Sequence, residues 1–202
     1  MSRSNRAALR KAIVDTSIAI GTEHGESGLT MRGIASRLGV SATALYQHFE
    51  SKAAILREIR VHCSKLLQAE VLETCRAIEN PRKRLEAMGY QYVDFARRRP
   101  WLYSVLAEAK LMDWSELTSD EIAETLRPLT TVRSWVSEGV EKNCWDHRVD
   151  PEMSSMRMWV ALHGLSSLIF TGRISESHPV MPIDDQDSFI RSFVANVVDA
   201  LG

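Results

Sequence analysis

Two short apolar-patterned stretches, each opened by a hydroxyl residue, meet at Leu38-Gly39-Val40, and no other feature of the 202-residue chain restricts its fold so sharply. Thr30 precedes the first stretch and Ser41 the second, where side-chain oxygens accept the unpaired backbone N–H groups of a helix start. With Thr30 as a cap, Leu29 and Ile34 take the two staple positions; with Ser41 as a cap, Val40 and Leu45 do the same. Gly39 between them supplies the left-handed backbone of a tight turn. Ile34, Ala35, Leu38, Val40, Leu45 and Phe49 then face inward together. Two short helices set across a glycine turn and packed on a longer first helix make a helix-turn-helix unit. A plain helical hairpin shares that core and turn, so the outward residues have to separate the two.

Those residues are unusual for a solvated face. Ala42 and Ala44 are small enough to let the backbone approach another surface, while Thr43, Tyr46, Gln47 and His48 offer hydroxyls, an amide and an imidazole. In a major groove an amide pairs with adenine, hydroxyls reach phosphate or base, and methyl groups meet the thymine methyl. Lys52 opens the next helical stretch, where the helix dipole disfavours a cation; a phosphate bound there reverses the sign. Charge agrees. The net charge of −1 conceals nine Lys and Arg against five Asp and Glu in residues 1–60, and sixteen against twenty-one in the remainder. A basic first quarter on an acidic remainder fits a polyanion contact confined to one end.

The remaining chain reads as helix throughout, so the fold class is all-α: a three-helix head with the helix-turn-helix, and a larger helical body, about nine helices in all. The first helix is expected over roughly Arg6 to Glu23, ended by His24-Gly25, with short helices at 31–38 and 42–48. The head is then residues 1–52, a connecting helix runs over about 52–78, and residues 79–202 form the body. Leu85, Met88, Tyr92 and Phe95 share one face of a helix that stops before Pro100, and "WLYSVLAEAK" is a further short one. After a loop near 112–119, residues 120–144 are helical, with a kink or restart at Pro128. "MSSMRMWVALHGLSSLIFTG" is apolar around most of its circumference, which predicts burial on two sides. A polar connector with two prolines leads to a last helix striped by Phe189, Ile190, Phe193, Val194, Val197, Val198 and Leu201.

Composition closes off other classes. Hydrophobic content of 45% with 25% charged residues is that of an ordinary globular protein, and charges interrupt every candidate membrane span. The N-terminal residues lack the apolar core of a signal peptide, so a cytoplasmic location is expected. Cys63, Cys75 and Cys144 are too scattered for a disulfide framework or a metal knot, so neither metal nor cofactor is expected.

"LTMRGIASRLGVSATALYQHFESKAAIL" resembles the DNA-binding domain of TetR-type transcriptional regulators, without gaps from Leu29 to Leu56. The resemblance implies that Tyr46, His48 and Lys52 contact phosphates, and that Arg32, Ala42, Thr43 and Gln47 lie against bases or adjacent backbone. It also implies that Thr30 caps the second helix at the DNA surface, with Ser41 beside it at the start of the third. Two positions depart from the pattern: Gly21 and Glu26 stand where the family has aromatic or large apolar residues. "YVDFARRRPWLYSVLAEAK" and "MWVALHGLSSLIFTG" are similar to the effector domain of a TetR subfamily marked by a Trp-His-Gly element, here Trp159, His163 and Gly164. Such domains dimerise through their last two helices, which makes Leu165, Leu168, Phe189, Phe193 and Val197 candidate dimer contacts.

The expected function is a repressor that binds double-stranded DNA as a homodimer. Its two recognition helices would suit palindromic half-sites about one helical turn (~34–36 Å) apart. A small apolar or aromatic effector releases it by favouring one separation of the heads. Tyr92, Trp101, Tyr103, Met112, Trp114, Trp135, Met158, Trp159 and His163 are the candidate effector-binding residues. Two rivals are a redox-responsive regulator acting through cysteine and a helical enzyme using His163. Neither has the CxxC, basic cluster, triad or ligand spacing its chemistry needs.

Overall fold

Thr30 and Ser41 do what their positions foretell. In the computed structural model, which describes residues 3–107 and 114–201, α2 (Met31–Leu38) starts with Thr30 Oγ1 accepting the Gly33 N–H at 3.0 Å. It ends at Gly39, whose φ of 68° lets the Val40 N–H return to the Ala35 carbonyl at 3.0 Å. Ser41 Oγ then accepts the Ala44 N–H at 3.1 Å and opens α3, Ala42–Tyr46. This helix is shorter than the expected 42–48: the His48 N–H turns back to the Leu45 carbonyl at 2.9 Å, so Gln47 and His48 lie in a tight turn. Ahead of them α1 (Arg3–Gly28) continues past His24, though Gly25 at φ 67°, ψ −174° interrupts it where the sequence places its end.

Contacts divide the chain into two compact units, Met1–Cys63 with Arg99–Met112, and Ser64–Arg98 with Asp113–Gly202. The first unit buries Ile13, Ile34, Leu45, Phe49, Ile55 and Ile59 between α1, α2, α3 and the first half of α4 (Lys52–Leu67). It also takes in α7 (Pro100–Ala107), which the sequence order assigns to the body. The reason is a slot. A Cβ on Gly21 would lie 2.1 Å from the Trp101 indole, so the indole occupies the space that a large residue at position 21 would fill. One of the two family departures is thereby supplied from elsewhere in the chain, and Leu102, Tyr103 and Val105 bury behind it.

The expected helix over 52–78 is three pieces. After α4 the chain widens into a π turn at Gln68–Leu72 and closes with the short α5, Glu73–Cys75. Gln68 Nε2 donates to Glu73 Oε1 at 2.7 Å, a side-chain bond across five residues that spans the widened turn.

In the second unit, α6 (Pro81–Arg98) packs against α8 (Ser119–Glu141), α9 (Pro151–Phe170) and α10 (Gln186–Asp199). Leu85, Met88, Tyr92 and Phe95 are buried as their spacing predicts. Thr118 and Glu121 form a full capping box at the start of α8, and the helix runs through Pro128. Asp150 caps α9 and Asp185 caps α10 through their carboxylates. Trp145 lies across Gly139, where a Cβ would meet its ring at 1.9 Å, and its indole N–H donates to the Val198 carbonyl at 3.3 Å. No helix among the described residues is long and apolar enough to cross a membrane.

Candidate nucleic-acid interface

The helix-turn-helix core leaves one polar surface uncovered. Ser41, Ala42, Thr43, Tyr46 and Gln47 are all exposed along α3 and its following turn, with His48 half-buried beside them. Tyr46 is 54% exposed although it is aromatic, because Leu45 and Phe49 take the inward positions around it. Thr30 and Arg32 are exposed at the start of α2, so the nine sequence candidates apart from half-buried His48 and Lys52 are at the surface. Small alanines, hydroxyls and one amide on a short rigid helix suit groove contact better than they suit bulk water.

Four contacts hold that surface in place. Arg37 reaches back from α2 to Glu23 on α1 with two hydrogen bonds of 2.6 Å, and this pairing holds the Glu23 carboxyl below the usual carboxylate range. Arg10 on α1 donates to the His48 carbonyl at 2.8 Å and pairs with Glu58 on α4, while its guanidinium stacks 4.1 Å from the Phe49 ring centroid. It therefore pins the turn that carries Gln47 and His48. Sequence reading missed Arg10; its place one turn after Arg6 on the α1 face was the available signal.

Lys52 carries the second family departure. Its ammonium donates to the Glu26 carbonyl at 2.7 Å and stands 3.5 Å from the Glu26 carboxylate. The cation at this helix start thus already has an anion, supplied by the chain itself from a position where the family has an aromatic or large apolar residue.

The effector candidates that the structure describes fall in both units. Trp101 and Tyr103 belong to the first unit, with Tyr103 buried. Tyr92, Trp135 and Met158 are core of the second unit, and the Arg84 guanidinium lies 5.4 Å from the Trp135 ring centroid. Trp114 is exposed, and Trp159 stacks on His163 with ring centroids 6.0 Å apart on an outward face of α9. Met112 lies outside the described residues.

Of the dimer candidates, Leu165 faces the core of its own protomer at 3% exposure, so it has no surface to offer a second copy. Leu168 is exposed; Phe189, Phe193 and Val197 are half-buried on α10, the two rings 6.4 Å apart. On α9 Leu168 is joined by Met153, Met156, Trp159, Val160 and Phe170, all exposed.

Two of the three cysteines are poorly placed to act as sensors. Cys63 and Cys75 are buried, and burial pushes the Cys75 thiol up, away from the reactive thiolate. No group of His, Cys, Asp and Glu among the described residues could hold a metal ion.

Residues 13–59 match the family described as bacterial regulatory proteins, tetR family, and residues 85–195 match the tetracyclin repressor-like C-terminal domain. The chain belongs to the TetR family. Among curated relatives, the nucleoid occlusion factor SlmA of Marinobacter nauticus is 26% identical over 67% of this chain and 70% of its own length. The match to SlmA of Haemophilus influenzae takes in 42% of that protein. In fold the chain is similar to a protein of unknown function from Rhodococcus sp. RHA1, with a TM-score of 0.76 at 20% identity, covering 96% of this chain and 93% of that one. It is also similar to the regulator FadR from Bacillus subtilis in complex with stearoyl-CoA, with a TM-score of 0.69 at 13% identity over 95% and 96% of the two chains. The TetR chain is a transcriptional regulator with a helix-turn-helix head.

Proposed function

We propose that this TetR regulator is a repressor that binds a palindromic operator as a two-fold dimer and is released by a small apolar or aromatic effector. The observation that carries the DNA half of this reading is the uncovered α3 surface, with Tyr46 54% exposed between small and hydroxyl-bearing neighbours. Affinity comes largely from phosphate contacts and falls steeply with salt; Gln47, Thr43 and Arg32 carry the direct reading of bases.

The dimer half is supported by the exposed row on α9, joined by Phe189 and Phe193 on α10. A two-fold axis brings such a face against its own copy. The Trp159–His163 stack then sits in the interface, and with Gly164 it supports reading this body as one of the Trp-His-Gly type. The effector half is supported by the fold: FadR from Bacillus subtilis is a helical protein of this shape that holds stearoyl-CoA. An apolar chain or ring is the ligand type that the buried Tyr92, Trp135 and Met158 would accept.

Filter binding to the DNA upstream of its own gene is the direct test. Specific repression requires tighter binding there than to random duplex, and equal affinity for both would refute it.

A further inference from the structure

Arg6 and Arg10 lie one turn apart on α1 and both line an open recess of about 270 Å³ with Ala7, Gln47 and His48. Their situations differ. Arg10 is committed to Glu58, to the His48 carbonyl and to the Phe49 ring. Arg6 is exposed and makes no hydrogen bond or ion pair among the described residues. It also stands near the start of α1, whose first turn carries no acidic residue, so the helix dipole disfavours its charge. The opposite wall of the recess is formed by Gln47 and His48, two residues of the surface that the proposed function puts on DNA.

We propose that this recess is a phosphate site, in which Arg6 and the His48 side chain take one backbone phosphodiester of the bound duplex. The inference rests on the DNA-binding reading above and adds a contact from α1, outside the helix-turn-helix. A guanidinium offers paired donors that match two phosphate oxygens, and the small Ala7 beside it also lines the recess. Arg10 holds the His48 backbone in place, so the wall facing Arg6 is preset before DNA arrives. The site reads no sequence; it fixes the angle at which α3 enters the groove. It would also lie near the start of α1, whereas the Lys52 anchor is tied to Glu26 near the end of the same helix.

The test compares the full-length protein with Arg6→Gln and Arg6→Lys, using fluorescence anisotropy on a short random-sequence duplex over a range of salt. Arg6 holds nothing else in place, so the thermal midpoint of both variants should equal that of the parent. Arg6→Gln is expected to bind about tenfold more weakly, the low end for a hydrogen bond to a charged group. Its plot of log affinity against log salt should flatten by about one for each head engaged, and Arg6→Lys should restore most of that slope. An Arg6→Gln variant with parental affinity and slope overturns the phosphate site and leaves the DNA-binding reading standing. A parent protein that binds no duplex at all overturns both.

Discussion

The two units of this molecule both close a tryptophan over a glycine, and the pairs serve different ends. In the body, Trp145 lies on Gly139, is 4% exposed and spends its indole N–H on the Val198 carbonyl, so it belongs wholly to the core. In the head, Trp101 lies on Gly21 and is half-buried, completing a small unit that must also present a polar surface. The body invests its aromatic residues in internal packing and leaves an apolar row on α9 outside. The head buries a compact core of aliphatic residues with Phe49 and leaves hydroxyls, an amide and Tyr46 outside. The head therefore exposes polar groups where the body exposes apolar ones.

The sharpest way to break this comparison is to empty the two slots. Trp145→Ala should cost about 3–5 kcal/mol in thermal or denaturant unfolding, as large-to-small changes in a closed core do. Trp101→Ala, half-buried from the start, should cost nearer 2 kcal/mol. If the head variant were the more damaging, the two slots would have been ranked wrongly.

The next effect in size tests the exposed faces. Val160→Glu puts a charge into the row on α9 and should weaken self-association by about 2 kcal/mol, roughly 30-fold, when followed by analytical ultracentrifugation. The same change should leave the unfolding of the separate protomer almost untouched, since Val160 is 58% exposed.

A smaller effect divides the head surface itself. Gln47→Ala should alter sequence preference by about 1–3 kcal/mol at one base pair, read by competition among duplexes. Lys52→Ala should weaken every duplex alike, by about tenfold or less, because Glu26 already competes for this cation. Uniform loss in both variants would erase the distinction between reading and anchoring.

The smallest effect is acid sensitivity. The side-chain hydrogen bond from Arg84 holds the Glu138 carboxyl below its ordinary range, and Arg148 pulls Asp146 down to about 2. Carboxyls depressed in this way stabilise the folded state above their unfolded values, and that contribution is lost as pH falls through the folded ones. Melting temperatures followed from neutral pH down to about pH 2 should therefore decline only in the acid limb. The exposed Glu23–Arg37 pair should make the head less responsive than the body, where Arg84 is almost fully buried.

The head was legible because caps and turns are made by single residues in single places. Thr30, Gly39 and Ser41 each admit few alternatives, and the structure uses all three as read. Body helices were legible through the spacing of residues such as Leu85, Met88 and Phe95, but their tasks were not. Trp135, Trp159 and Trp101 look alike in sequence, yet one is core, one is surface and one belongs to the other unit. The π turn at Gln68–Leu72 was hidden for a related reason: its residues favour an ordinary helix equally well, and only the Gln68–Glu73 spacing betrays it. Glu26 appeared to be a loose fit until its carbonyl and carboxylate were seen around Lys52.

The Gly21 slot has a meaning for how such a protein can be altered or inherited. Positions 21 and 101 are bound into one choice, so a descendant with leucine at 21 must shed its large side chain at 101, and neither step is tolerated first without cost. The same bond defines what a transplantable head is. A graft of the first sixty-odd residues onto a foreign body would leave an open groove along α1, and a graft that carries Pro100–Ala107 with it would not.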